Sequence, residues 1–200
     1  MKRFTARAAG VAIGLAALAA AHHAAAQNES GWVTLVSDSS MGDWDQVGKA
    51  NWTMVDDGLV ANALDGKDLA YLVSKTPYTD FEIRAEFYTD ADANSGIFIR
   101  CADPKVIDAK GCYEVNIFDK RPDPTYGTGA IVDVAKVDPM PKAADQWNTY
   151  EISAKGPHLT VILNGQKTAD IDDSKHASGP IALQYGSGLV KFRKVQIRPL

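Results

Sequence analysis

Short stretches in which apolar and polar residues alternate run through most of the chain. In "FEIRAEFYTD" (81–90) and "YEVNIFD" (113–119), every second residue from the first is apolar over most of the segment. Alternation with a period of two predicts half-buried strands. The strongest hairpin signal is Asn164-Gly165, because this dipeptide separates two alternating segments and suits a two-residue turn.

No long window shows a helical period, and turn residues separate ten to thirteen predicted strands. Many short strands without helices predict an all-β sandwich or barrel. We expect one domain over residues 27–200, a length typical of a single domain. The longest irregular stretches are 101–111 and 119–146, and long loops on such a scaffold are where function tends to gather.

Residues 1–26 have the layout of a secretory signal peptide. A basic start is followed by an apolar run from about residue 8 to residue 21, and Ala24-Ala25-Ala26 provides a small-residue cleavage site before Gln27. We therefore predict a periplasmic or secreted protein. No later stretch approaches the ~20 apolar residues that a membrane helix needs, so no membrane anchor is expected.

The net charge of the predicted mature chain is negative. The 21 Lys and Arg residues include three in the signal peptide, which leaves 18 against 25 Asp and Glu, or −7. An acidic domain argues against nucleic acid or anionic lipid as a partner. We expect a monomer or a weak oligomer.

Cys101 and Cys112 are the two cysteines of the chain. Export permits a disulfide, which would stabilise the fold by roughly 3 kcal/mol. Alternation places Cys101 on the core side of its strand and Cys112 on the other side, so a direct pair requires a bulge, which Gly111 could supply. The alternative is two free thiols.

Asp90, Asp92 and Asn94 resemble the start of a calcium loop. Ser95 stands where the loop of a helix–loop–helix site needs glycine, and strands flank the segment, which excludes that motif. A looser surface calcium site stays open beside the alternative that these residues form a turn. His158 and His176 are not spaced for a metal site, and no cofactor is predicted.

Six further segments resemble one protein family in the same order along the chain. They are "NSGIFIR" (94–100), "GCYEVNIFD" (111–119), "TGAI" (128–131), "QWNTYEISAKG" (146–156), "LTVILNGQ" (159–166) and "GPIALQYGSGLVKFRKVQI" (179–197). Together they resemble the 3-keto-disaccharide hydrolase family. The resemblance implies a concanavalin A-like jelly roll of two antiparallel sheets, which acts on sugars.

The resemblance also implies cleavage of glycosides that are already oxidised at C3. Elimination across C1–C2 gives a 3-keto-2-hydroxyglucal, and hydration then completes a net hydrolysis. The C3 ketone acidifies the C2 proton, so the site needs a general base, a group that stabilises the enolate oxygen and an acid near the leaving oxygen.

Glu114 and Arg100 are the predicted catalytic residues. If their segments pair as a hairpin, the two side chains are neighbours on the face opposite the core. Glu114 is then the candidate base or acid, and Arg100 orients it or holds the enolate oxygen. The alternative is a salt bridge on a sheet face.

Five further residues are predicted to bind substrate. Gln184 could donate or accept a hydrogen bond with a sugar hydroxyl, and Asp119 ends a strand, where a turn role is the alternative. Trp147 is either a stacking platform or a core residue. The substrate-binding set is Phe98, Asn116, Asp119, Gln184 and Tyr185.

Three positions depart from the family pattern, which commonly has Gln at Asn116, Tyr at Val132 and His at Tyr185. Losing the tyrosine and the histidine removes two proton carriers or sugar contacts. This favours one alternative, a non-catalytic carbohydrate-binding protein on the same fold. Another is an ordinary glycosidase that uses Glu86 and Glu114 as its two carboxylates.

Overall fold

The computed structural model describes residues 31–37, 39–42 and 44–200, so the predicted signal peptide lies outside the described residues. Thirteen strands and one 3-10 helix make up the regular structure of this part of the chain. The strands are β1 (Val33–Val36), β2 (Trp44–Val47), β3 (Ala50–Val55), β4 (Gly58–Leu64), β5 (Ala70–Ser74), β6 (Phe81–Thr89), β7 (Asn94–Ile99), β8 (Tyr113–Ile117), β9 (Gln146–Lys155), β10 (His158–Leu163), β11 (Gln166–Asp172), β12 (Ala182–Ser187) and β13 (Val190–Pro199). The 3-10 helix is Pro124–Tyr126. No helix in the described ranges is long and apolar enough to cross a membrane.

The strands form two antiparallel sheets. The larger sheet has the order β11-β10-β9-β6-β13-β4-β3, with β1 also paired to β13, and the smaller has the order β2-β5-β12-β7-β8. Alternate residues of both sheets fill the space between them. Ile83 and Phe87 of β6 share one buried cluster with Ile97, Val115 and Leu183 of the smaller sheet. The predicted all-β jelly-roll sandwich is therefore confirmed.

The predicted hairpin at Asn164-Gly165 joins β10 to β11. Both turn residues have a positive φ, 51° at Asn164 and 79° at Gly165. A two-residue turn with positive φ at both positions matches the right-handed twist of the strands that it connects, which is why this dipeptide is favoured there.

The predicted disulfide between Cys101 and Cys112 is present. The bulge that allows the two cysteines to pair lies at Arg100. The prediction that Gly111 would supply this bulge was wrong. β7 and β8 pair regularly from Ser95–Ile117 to Ile99–Tyr113, whereas the next backbone hydrogen bond runs from the Ala102 N–H to Gly111 O. This step adds one residue on the Arg100 side, and Arg100 takes a φ of 52°. Cys101 therefore faces away from the core, beside Cys112.

The free edge of β8 is covered by residues 128–135. Ile131 forms an antiparallel bridge with Val115. The backbone N–H of Asn116 donates to Ala130 O, and that of Val132 donates to Glu114 O, both at 3.0 Å. Ile131 faces the core, so Val132 lies on the same side of the sheet as Glu114.

Candidate functional site

The side of the smaller sheet that faces away from the core, here called the outer face, carries a group of polar side chains. The register of β5, β12, β7 and β8 aligns its residues in two neighbouring rows. The first row is Tyr71, Gln184, Gly96 and Asn116, and the second is Val73, Ala182, Phe98 and Glu114. Four of the predicted residues thus lie together on the outer face: Glu114, Asn116, Gln184 and Phe98.

Glu114 is a carboxyl group that burial keeps largely out of water. The residue is 8 % exposed. Burial raises the pKa of Glu114 to about 7, with a smaller increase from the charge of Asp133 and a decrease from Arg121. A carboxyl with a pKa near neutrality is present in both protonation states at pH 7, which suits a group that accepts and returns a proton.

Val132 is a buried apolar residue next to Glu114 across the edge of the sheet. It is 2 % exposed and lies beside Glu114, because its backbone N–H donates to the carbonyl oxygen of that residue. The resemblance implies a tyrosine at this position. With valine there, Glu114 has an apolar neighbour where a hydroxyl could have hydrogen-bonded, and an apolar neighbour favours the neutral carboxyl.

The amides of Gln184 and Asn116 each have a buried oxygen without a hydrogen-bond partner. Their nitrogens are used, since Gln184 Nε2 donates to the hydroxyl of Tyr71 at 3.4 Å and Asn116 Nδ2 donates to Tyr126 O at 2.7 Å. An unsatisfied buried acceptor costs about 1–3 kcal/mol. Gly96 lies between the two amides, and a Cβ there would stand 3.5 Å from Gln184 Oε1.

Tyr71 completes the polar row and was not predicted. Its ring meets Phe98 edge to face, with centroids 5.4 Å apart. Burial raises the pKa of Tyr71, the hydrogen bond from Gln184 lowers it, and the charges of Glu114 and Asp108 raise it further. In "AYLVS" (70–74), Leu72 faces the core, so its neighbour Tyr71 faces away from it. The outward direction of Tyr71 was therefore predictable from the sequence.

Arg100 does not lie beside Glu114, and that prediction was wrong. The partner of Glu114 across the sheet is Phe98, and the bulge at Arg100 turns its side chain away. The guanidinium is buried and donates to Thr79 O at 2.8 Å, Gly156 O at 2.7 Å, His176 O at 3.3 Å and Asp80 Oδ1 at 3.1 Å. A second N–H, on Nη2, also donates to Thr79 O, so Arg100 ties three loops together and all five of its N–H groups are used.

Tyr185 also lies away from the site, contrary to the prediction. It follows Gln184 directly, and neighbouring residues of a strand face opposite sides of the sheet. Its ring packs in the core against Trp52, with centroids 6.3 Å apart, and its hydroxyl donates to Gly188 O at 2.8 Å. The histidine that the resemblance implies at this position would face the core as well.

Asp119 has a structural role in place of the predicted contact with substrate. Its carboxylate accepts hydrogen bonds from Thr128 Oγ1 at 2.6 Å and from the backbone N–H groups of Ala143 and Ala144, both at 3.0 Å. These bonds join the two ends of the irregular stretch 119–146. Asp119 thereby fixes the segment that covers the edge of β8.

Glu86 and Trp147 lie on the far side of the molecule. Both belong to the larger sheet and face away from the core, where Arg193 donates to Glu86 at 2.7 Å and lies over the Trp147 ring at 3.9 Å. Glu86 and Glu114 thus lie on the outward sides of two different sheets, with the core between them. They cannot flank one glycosidic bond, so the predicted alternative of a two-carboxylate glycosidase built on this pair was wrong. Trp147 is neither a core residue nor a platform in the site.

The Asp90–Asn94 segment forms a turn. Asp90 Oδ1 accepts the backbone N–H of Asp92 at 3.1 Å, and the Asp92 carboxylate pairs with Lys120 at 2.6 Å. Across residues 31–200, as far as the structure describes them, no three His, Cys, Asp or Glu side chains are grouped so that they could hold a metal ion.

Comparison with known families gives one match that covers most of the chain. Residues 31–198 match the family model described as the 3-keto-alpha-glucoside-1,2-lyase-like domain. No curated protein matches the sequence.

Solved structures share the fold. A putative glycosyl hydrolase from Parabacteroides distasonis ATCC 8503 superposes with a TM-score of 0.71 at 16 % identity, over 85 % of this chain and 94 % of its own. A second putative glycosyl hydrolase from that organism has a TM-score of 0.62 at 26 % identity, over 80 % and 100 %. The carbohydrate-binding module CBM66 from Bacillus subtilis has a TM-score of 0.56 at 15 % identity, over 84 % and 95 %. At 15–16 % identity the first and third show a likeness of fold alone.

Proposed function

The chain belongs to the 3-keto-alpha-glucoside-1,2-lyase-like family, and on that premise we propose that it cleaves 3-keto-glycosides by elimination across C1–C2 followed by hydration. The family match and the likeness to glycosyl hydrolase structures support a carbohydrate-related role. The observation that carries the finer proposal is Glu114, a buried carboxyl whose pKa is raised to about 7 on a face with unpartnered amide oxygens.

Glu114 takes the proton from C2 of the keto sugar. The neighbouring C3 ketone acidifies this proton, since the electron pair that is left behind moves onto the C3 oxygen as an enolate. When the pair returns, C1 and C2 become doubly bonded and the bond from C1 to the aglycone oxygen breaks. The aglycone oxygen takes up a proton as it leaves. Protonated Glu114 is the acid that donates this proton in our proposal.

Hydration then adds water across the C1–C2 double bond that the elimination formed. Water adds its oxygen to C1 and a proton returns to C2, so the net change is hydrolysis of the glycosidic bond. A single carboxyl serves both steps most efficiently when its pKa is close to the working pH, because neither protonation state is then rare. The raised pKa of Glu114 meets this condition, whereas an exposed glutamate near 4.5 would be almost entirely ionised.

The amides of Gln184 and Asn116 orient the sugar in this proposal. Their unpartnered oxygens are acceptors and therefore suit the hydroxyl groups of a sugar ring. Gly96 lies between them on the neighbouring strand, and a Cβ there would stand 3.5 Å from both Gln184 Oε1 and the Phe98 ring. The shorter reach of Asn116, where the family commonly has glutamine, places its contact closer to the backbone.

A second candidate is sugar binding without turnover. Val132 supports it, because an apolar residue stands beside Glu114 where the resemblance implies a proton-carrying tyrosine. The outer face would then hold the sugar through its amides, and Glu114 would accept a hydroxyl donor.

Export and calcium binding remain predictions. The disulfide fits an oxidising compartment outside the cytoplasm. Activity that survives a chelator would show that a calcium ion at Asp90, Asp92 and Asn94 is not needed for turnover.

The purified protein should release 3-keto-glucose from 3-keto-trehalose and leave trehalose intact. Glu114→Gln should abolish release, whereas the matched control Glu86→Gln, on the opposite surface, should keep it. Full release by Glu114→Gln would contradict the proposed role. No release by the unaltered protein, with a rise in its melting temperature on adding the same sugar, would establish binding without turnover.

A further inference from the structure

We infer that a cavity on the outward side of the larger sheet binds a neutral sugar ring. The cavity has a volume of about 240 Å³ and lies over β6, β9 and β10. Its lining includes the side chains of Trp32, Arg84, Glu151, Ser153, Thr160 and Ile162. Glu114 belongs to the other sheet, with the core between the two. The inference therefore adds a second sugar site and does not depend on the proposed function.

Arg84 and Glu151 stand opposite each other at this cavity without forming an ion pair. The register of β6 and β9 pairs them, and strand alternation turns both side chains outward. The guanidinium of Arg84 instead lies over the Trp32 ring, with Cζ 4.5 Å from the ring centroid. In the described part of the chain, no hydrogen bond or ion pair holds the Arg84 guanidinium or the Glu151 carboxylate. One donor group and one acceptor group thus remain available in the same space.

The Arg84 guanidinium is held in place although it has no acceptor. Trp32 is 4 % exposed, and Arg198 lies over the same ring with Cζ 4.9 Å from the centroid. Arg198 is also paired with Glu82. The indole and the two guanidinium groups form one wall of the cavity, so Arg84 presents its N–H groups before a ligand arrives. A donor that is already ordered loses little conformational freedom on binding.

Two hydroxyl groups and an apolar side chain complete the lining. Ser153 and Thr160 are partners in the register of β9 and β10, and Ile162 is the partner of Glu151. Neither hydroxyl is hydrogen-bonded to another residue that the structure describes. A hydroxyl can donate or accept as a ligand requires. The cavity thus combines available donors, available acceptors and an apolar contact.

This combination favours a neutral ligand with several hydroxyl groups. The charged residues of the lining are two arginines and two glutamates, so their charges cancel. An anion would lie against the glutamates, and a cation would lie against the arginines. The hydroxyls of a sugar ring both donate and accept on neighbouring carbons, and its C–H groups suit Ile162. The volume is below the ~300–1,000 Å³ of sites for larger ligands, which limits the occupant to about one ring.

Methyl α-D-glucopyranoside is the probe, because it is neutral, has one ring and lacks the ketone that the proposed reaction needs. In a ¹H–¹⁵N NMR titration we expect saturable shifts of the backbone amide signals of Glu151, Ser153 and Thr160, with a Kd of about 1–10 mM. Glu151→Ala should raise the Kd at least about tenfold, because a hydrogen bond to a charged acceptor is lost. The side chain is exposed, so the variant should keep its fold. Glu86→Ala is the matched control and should leave the Kd within about twofold, since this carboxylate lies on the same side of the sheet but outside the cavity.

Three results would overturn the inference. They are the absence of shifts at about 50 mM glucoside, shifts confined to β7, β8 and β12 of the smaller sheet, and an unchanged Kd in Glu151→Ala. Tighter binding of D-glucuronate than of the glucoside would also contradict it, because the site would then favour an anion. Turnover of 3-keto-trehalose is a separate measurement, so either proposal can fail while the other stands.

Discussion

Replacing Glu114 with glutamine should stabilise the protein at alkaline pH while it removes the proposed activity. The substitution keeps the size of the side chain and removes its ability to ionise. Folding raises the pKa of this carboxyl from 4.5 to about 7, chiefly by burial. Ionised Glu114 is therefore less favourable in the folded protein than in the unfolded chain, and glutamine avoids that penalty.

The size of the effect follows from the difference between the two pKa values. Below pH 4.5 both states bind the proton and Glu114 contributes nothing. Between pH 4.5 and 7 the folded protein binds more protons than the unfolded chain, so the free energy of unfolding falls as the pH rises. Above pH 7 the loss is complete and amounts to about 3 kcal/mol, at ~1.4 kcal/mol for each pKa unit.

Urea unfolding at pH 5 and at pH 8.5 measures this effect directly. We expect Glu114→Gln to match the unaltered protein to within about 1 kcal/mol at pH 5 and to exceed it by about 3 kcal/mol at pH 8.5. In thermal unfolding the gain at pH 8.5 would be roughly 6–12 °C for a chain of this size. Glu86→Gln should show no gain at either pH, because it removes an ion pair with Arg193 at the surface.

If Glu114→Gln is no more stable than the unaltered protein at pH 8.5, burial does not disfavour the ionised carboxyl. Such a result would mean that ionised Glu114 is well solvated or paired in the folded state. Equal stabilisation at pH 5 and pH 8.5 would also contradict this effect of burial, because the gain would then have no connection with ionisation.

Three further substitutions test the structural roles described above. Cys112→Ser should cost roughly 3 kcal/mol of stability in urea unfolding, and added reductant should lower the unaltered protein to the same level. Arg100→Lys should cost about 3 kcal/mol, because one ammonium cannot replace the hydrogen bonds of the buried guanidinium; a stable but inactive variant would restore its catalytic role. Tyr185→His, which introduces the residue that the resemblance implies, should lower the melting temperature without raising turnover, since this side chain packs in the core. A gain in turnover there would contradict the assigned face.

The face of each strand residue was predictable wherever the strand is regular. The period of two places Glu114, Asn116 and Gln184 on the side away from the core, and the structure has them there. Arg100 follows the same period in sequence, but one extra residue at the end of β7 reverses the side of everything after Ile99. Arginine rarely takes a positive φ, so its presence in the sequence does not indicate a bulge at this position.

The arrangement of the site across strands was less predictable. Tyr71 meets Gln184 because β5 pairs with β12, which lies more than a hundred residues later in the chain. No local pattern reports which strands become neighbours at that distance. The prediction for Tyr185 was wrong for a different reason. The resemblance linked Tyr185 to Gln184 in one motif, although neighbouring residues of a strand face opposite sides of the sheet.

The dependence of kcat/KM on pH, measured with 3-keto-trehalose, tests the central claim most directly, because it reports the ionisation of the free enzyme's essential base. kcat/KM should rise with pH through a midpoint of about 7 and then level off, because Glu114 ionises over that range. Glu86→Gln should keep this profile, and Glu114→Gln should show no turnover at any pH. A midpoint near 4.5, or turnover that persists in Glu114→Gln, would contradict the claim that Glu114 carries the proton.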